Sequence, residues 1–184
     1  PYTRMPDIYA STRIVIDDAN TATKQWGSVN SRVYDAIAAG ALVLTNGVRG
    51  AEEVFGGAMP VYQTRAELEA LLRLYLEDET ARAAKVTELQ IILRAGHEYK
   101  HRAQQIAGLL QVATAQQLRF ALKIGAPRDS VRDEWGDYHY AVGLRRALTR
   151  MGHSVRIDCL DRWEGEHCTG DDVVVVFRGL STFK

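Results

Sequence analysis

The chain has 184 residues, 46% apolar and 25% charged, and its 23 basic side chains balance 23 acidic ones. That is the composition of a soluble globular protein of one domain or two small ones, and zero net charge provides no broad basic field for nucleic acid or an anionic membrane. No apolar run approaches the roughly 20 residues of a membrane span.

In chain order, "STRIVIDDAN" reads as a buried strand, Arg13 to Asp17, running into a polar loop. "SRVYDAIAAG" reads as a helix: Val33, Ala36, Ile37 and Gly40 share one small apolar face, and Gly40 stands where a helix takes a left-handed residue. "ALVLTN" is the next strand, apolar enough to be covered on both faces of a parallel sheet. "MPVYQT" reads as a short strand or a turn. Thr64 to Glu67 form a T-x-x-E capping box before an amphipathic helix, and Asp78 caps a second helix that runs to about Ala95. A third helix spans Tyr99 to about Leu110.

Texture changes after residue 112, where a module boundary is expected. Leu118, Phe120, Leu122 and Ile124 alternate along a strand, and "GAPRDSVRDEWGD" is a loop with a helix entry. A helix with Ala141, Leu144, Leu148 and Met151 inward then stops at Gly152, and "HSVRID" and "DDVVVVFRG" are strands. Strands alternating with helices predict an α/β fold, a Rossmann-like parallel sheet with flanking helices. Two strands before the boundary are too few for a well-covered sheet, so a single compact unit or an intertwined oligomer is expected over two independent ones.

The two cysteines, Cys159 and Cys168, are too few for a disulfide framework, and "CLDRWEGEHC" lacks the four spaced ligands of structural zinc. With no visible signal peptide, a cytoplasmic setting and no metal are expected. The chain begins with Pro1, which fits a piece of something longer. The acidic pairs at 17–18 and 171–172 flank strands and are read as ordinary strand-end charges.

The segment "GSVNS" opens a helix close to a strand end, and a helix N-terminus with unpaired N–H groups suits phosphate. Gly27 permits close backbone approach. Ser28, Asn30 and Ser31 supply capping or hydrogen-bonding groups, and Asp35, about a turn further in, can accept from a ribose diol. The plainer alternative is a capped helix start with a solvated Asp35. Trp26 is a stacking candidate beside Gly27.

"GSVNSRVYDAIAAGALVLTN…GAEEVF", "YQTRAELEALLRLYLEDETARAA" and "HEYKHRAQQI" resemble the C-terminal half of a GT-B glycosyltransferase, nearest the bacterial group named after the spore-maturation protein CgeB. The resemblance covers about residues 5 to 112 and implies that 1–112 form a nucleotide-sugar-binding part. By the same resemblance Gly27, Ser28, Asn30 and Arg32 face the donor diphosphate, Asp35 contacts the ribose, and Glu53, rather than Glu52, is the sugar- or nucleotide-side acid; a surface Arg32 and a plain helix-start charge at Glu53 are the alternatives. Retaining relatives carry E-x₇-E; here Asp35 holds the later place and Gly27 the earlier, so a retaining mechanism does not carry over.

About residues 118 to 180 resemble the start of an N-terminal, acceptor-binding domain of the same class, which makes 113–184 an acceptor-like part, and there His139 or Asp137 is a candidate base on an acceptor hydroxyl. Asp137 as a helix cap and His139 as a surface residue are the alternatives. Donor-like before acceptor-like order implies a fragment across two tandem modules or a circular permutation, with missing domains or a second copy of the chain completing the cleft. The resemblance implies sugar transfer from a nucleoside-diphosphate sugar to a carbohydrate or glycoconjugate acceptor in polysaccharide or glycoconjugate synthesis, without a metal. A non-catalytic nucleotide- or sugar-binding module and a structural or regulatory interaction domain are the rivals. A dehydrogenase is disfavoured by the missing G-x-G-x-x-G pattern.

Overall fold

The computed structural model describes residues 4–109 and 117–177. The chain forms two compact units that divide between His97 and Glu98, each with its own parallel sheet and core. Both have the expected α/β, Rossmann-like build. No helix among the described residues is long and apolar enough to cross a membrane.

The first unit contains, in order, α1 (Met5–Ala10), β1 (Ile14–Asp17), α2 (Thr21–Trp26), α3 (Ser31–Ala38), β2 (Leu42–Thr45), α4 (Val48–Phe55), α5 (Arg65–Glu77) and α6 (Glu79–Gly96). Parallel β1 and β2 pair from Ile14↔Leu42 to Asp17↔Thr45. The second contains α7 (Tyr99–Leu109), β3 (Arg119–Lys123), α8 (Gly136–Arg150), β4 (Ser154–Asp158) and β5 (Val173–Val176), with parallel strand order β4-β3-β5. The five predicted strands therefore all form.

They do not join into one sheet, which corrects the expectation of a single unit. All four residues of β2 are buried, α3 and α6 pack on it, and its free edge meets Val61 of the "MPVYQT" segment through a parallel bridge to Thr45. Two strands are thus covered by helices and one bridging residue. The core holds Val33, Ile37, Leu42, Leu44, Phe55 and Leu89.

Local signals explain the helix ends. After α3, Ala41 N–H donates to Ala36 O and Gly40 N–H to Ile37 O, with Gly40 at φ 97°, a Schellman stop. The Thr64–Glu67 capping box forms on α5, and the Asp78 side chain accepts from Ala81 N–H on α6. The short helices α1, α2 and α4 are additions to the elements read from sequence.

The division precedes the boundary read at residue 112, because α7 packs on α8. Ala103 lies in the second core with Phe120, Leu122 and Leu144. At Gly143 an added Cβ would fall 2.5 Å from the Tyr99 ring, so only glycine lets α7 come this close. Tyr140 meets Tyr99 edge-on with centroids 5.3 Å apart. Residues 110–116, including the predicted helix end at Leu110 and the boundary itself, lie outside the described residues. Met151, expected inward, is 40% exposed: it is the residue after α8, where the chain turns through Gly152 at φ 93°.

Cys159 is buried beyond the end of β4, with its thiol donating to Asp129 Oδ1 at 3.4 Å. Burial, then the bond to Asp129, pushes this thiol from an ordinary 9.0 up to about 11. Cys168 is partly exposed. A maleimide is expected to label Cys168 in the native protein at neutral pH and Cys159 only after unfolding, which peptide mass spectrometry reads directly. Because the folded state holds the Cys159 proton more tightly, its contribution is intact below pH 9 and is lost as pH rises toward 11.

Candidate functional site

Asp17 and Thr45 end β1 and β2 side by side. From Asp17 the chain passes through α2 and the Gly27 turn into α3. From Thr45 it passes through Asn46 and Gly47 directly into α4. Two helix N-termini therefore open at the carboxyl end of one parallel sheet, the usual place for a ligand in such folds. Side chains cap α2, α5 and α6 (Asn20, Thr64 and Asp78), but none caps α3 or α4, and neither has an acidic residue in its first turn. Two helix N-termini without side-chain caps favour an anion.

Asp17 lies at the centre. Its side chain is 3% exposed. Oδ1 accepts from Asn30 Nδ2 at 2.9 Å and lies 3.6 Å from Arg32 Nε, and Oδ2 accepts from Thr45 Oγ1 at 2.8 Å. Thr45 Oγ1 in turn accepts from Gly47 N–H at 3.0 Å. Asn46 accepts from Ala19 N–H at 2.7 Å and donates to Asp18 Oδ1. Burial, then the charges of Asp18 and Asp17, pushes the Tyr62 phenol above its ordinary value. A cavity of about 10 Å³, room for about one water molecule, is lined by Asp17, Ser28, Thr45 and Gly47, with Phe55 and Met59 beneath. It is below the roughly 300–1,000 Å³ of small-molecule pockets. A nucleotide here would lie across the helix ends, outside this cavity.

The structure redistributes the predicted site residues. Gly27 is the left-handed cap of α2 at φ 65°, and an added Cβ would meet Arg49 Nε at 3.0 Å and Glu53 Oε2 at 3.1 Å. The Arg49 and Glu53 side chains thus lie over it, so Gly27 is needed for a turn and for packing. Ser28 is exposed at the cavity. Asn30 occupies the α3 N-cap position, but its amide goes to Asp17, not to the helix N–H groups. Arg32 sits in the first turn of α3, 55% exposed, beside Asp17. Asp35 is on the same helix, exposed, one turn on. Glu53 does not start a helix: it lies within α4 and accepts from Arg49 Nε at 2.8 Å, with Arg49 also reaching Gln25 O at 3.2 Å. Trp26 closes α2 and is 73% exposed.

Asp17, Thr45, Asn46 and the α4 start were missed. The strand-end position of Asp17 was the available signal, but its partners Asn30 and Thr45 are 13 and 28 residues away.

His139 and Asp137 belong to the second unit. The cap position of α8 is Trp135, and Asp137 lies in the first turn, where Oδ2 accepts from Gly125 N–H at 2.5 Å just beyond β3. Its Oδ1 is buried without a hydrogen-bond partner among the described residues. The His139 ring bonds Asp133 O at 2.8 Å. Asp158, His167 and Cys168 each bring one ligand atom within 4.8 Å of the others. There the Arg156 guanidinium donates to both Asp158 oxygens at 2.8 and 3.0 Å and to Asp171 at 2.7 Å, so a cation already fills the place a metal would take.

The fold and site define an α/β, Rossmann-like protein with an anion-compatible centre at the carboxyl end of its first sheet. A family model described as glycosyl transferase-like matches residues 1–108, more than half of the chain, and the chain belongs to that family. No curated protein and no solved structure matches it.

Proposed function

We propose that the first unit is the nucleotide-sugar-binding part of a GT-B glycosyltransferase of the CgeB-like group. It would transfer a sugar from a nucleoside-diphosphate donor to a hydroxyl of a carbohydrate or glycoconjugate acceptor in cytoplasmic polysaccharide or glycoconjugate synthesis. The observation that carries this reading is the pair of uncapped helix N-termini, α3 and α4, opening beside Arg32. In this role the helix ends and Arg32 hold the diphosphate and stabilise its charge as it departs. Ser28 and Asn30 line the approach, Asp35 receives the ribose hydroxyls, and Glu53 acts through Arg49. The reading requires no metal, because backbone N–H groups and a guanidinium supply the positive charge.

The second unit is proposed as the start of an acceptor-side domain, with Asp137 or His139 as the base. A binding module without transfer is the second reading, favoured by Gly27 standing where retaining relatives carry glutamate.

Calorimetry with ADP, GDP, CDP, UDP, dTDP and NAD tests the proposal. At least one nucleoside diphosphate is expected to bind more tightly than NAD. Asp35→Ala is expected to weaken that binding by about 1.5–3 kcal/mol, the worth of a charge-assisted hydrogen bond. Tighter binding of NAD, or an unchanged affinity in the variant, would count against it. Turnover of a nucleotide sugar would establish the enzyme, but with a cleft that other domains or a second copy complete, this chain alone is expected to bind a nucleotide without measurable transfer.

A further inference from the structure

We infer that Asp17 is the positioning residue of this site, one buried carboxylate that sets Arg32 and both helix starts in a single geometry; the inference rests on the diphosphate reading above. Its Oδ1 holds two groups from the start of α3, the Asn30 amide and the Arg32 guanidinium. Its Oδ2 holds Thr45, whose hydroxyl oxygen then receives the Gly47 N–H immediately before α4. One side chain thereby registers the two positive helix ends against each other.

Asp17 approaches Arg32 through Nε, at 3.6 Å. The terminal nitrogens of Arg32 meet no other acceptor among the described residues, and they are the fork that binds phosphate oxygens. A buried carboxylate beside a diphosphate would on its own repel it. Its value therefore lies in what it holds, and Asp17 acts through Arg32, Asn30 and Thr45 without contacting the ligand. This reverses the ordinary strand-end role assigned to the acidic pair at 17–18.

Asp17→Asn keeps the shape and one accepting oxygen, presents a donor N–H₂ in place of the other, and removes the charge that pairs with Arg32. The test compares parent, Asp17→Asn, Arg32→Ala and the double variant, using the tightest binder among ADP, GDP, CDP, UDP and dTDP. Asp17→Asn is expected to weaken binding about tenfold, and in the Arg32→Ala background to weaken it by clearly less than that, because the two changes share one contact. Unchanged or tighter binding in Asp17→Asn, as the loss of a repelling charge alone would give, overturns the inference, and so do additive losses. Nitrogen-15 relaxation of the Arg32 Nε–H in the ligand-free protein tests the positioning separately. It should show order in the parent and mobility in Asp17→Asn, and equal order in both overturns the inference. If no nucleoside diphosphate binds the parent, the functional reading fails and this relaxation result alone decides the role of Asp17. Should Asp17→Asn fold poorly, Thr45→Val cuts only the second arm. It is expected to shift the amides of Gly47 and Val48 while leaving Arg32 Nε–H unchanged, and unshifted amides overturn the link to α4.

Discussion

Replacing Arg156 by methionine is expected to destabilise the second unit by about 3–5 kcal/mol, enough to unfold many small domains. Arg156 stands between Asp158 and Asp171, whose side chains are 0% and 4% exposed, and donates to both. These two hydrogen-bonded carboxylates hold the guanidinium proton tightly, raising its pKa further above its ordinary range. Arg156 also reaches His167 O at 3.2 Å, so it anchors the connection between β4 and β5. Methionine keeps the packing volume but leaves two buried charges without a counter-ion. The added changes Asp158→Asn and Asp171→Asn should recover most of the loss, since the penalty comes from uncompensated charge. Hydrogen exchange followed by peptide mass spectrometry reads the two units separately. Protection should fall in peptides of β3, β4 and β5 and return in the triple variant.

Gly50→Ala is expected to destabilise the first unit by about 1–3 kcal/mol. An added Cβ would lie 2.7 Å from Gly27 O and 2.9 Å from Ser28 O. Both are backbone atoms at the α2–α4 contact and cannot swing aside like the tip of a side chain. Helix propensity alone favours alanine by about 1 kcal/mol, so a net loss identifies the contact as the cause. Gly96→Ala is the control, because Gly96 is likewise helical, the last residue of α6, and an added Cβ there meets nothing within 4 Å. Denaturant unfolding should show Gly50→Ala below the parent and Gly96→Ala at or above it. The same clash moves the Gly27–Asn30 turn that delivers α3, so nucleotide binding should weaken as well.

The strands and the well-capped helices were legible because their signals are local. Alternation marks β3, continuous apolar character marks β2, and Thr64, Glu67 and Asp78 announce α5 and α6 within a few residues. The helix α4 was less legible because its cap position is Gly47, no side chain caps it, and Gly50 lies in its first turn. The six residues of α2 are too few to show a periodic face. The division between units was hidden for a different reason. Tyr99 and Ala103 reveal that α7 has an inner face, but which core receives it depends on Gly143, some forty residues later. The site was half legible: the open start of α3 and Arg32 stand in the sequence, whereas Asp17 gains its role only through partners brought together by the parallel pairing of β1 and β2. Glu53 stands after a Gly-rich turn, the signal for a ligand contact, and the structure adds a partner the sequence reading left out, Arg49, four residues away.

In the proposed function, two open helix ends at the carboxyl end of one sheet hold a diphosphate. An amide-resolved NMR titration of the full chain with nucleoside diphosphates tests it most directly. The largest shifts are expected on the amides of Ser31 and Arg32 at the start of α3 and of Val48 and Arg49 at the start of α4, saturating together. Saturable shifts confined to other elements, or none at millimolar nucleotide, would contradict it.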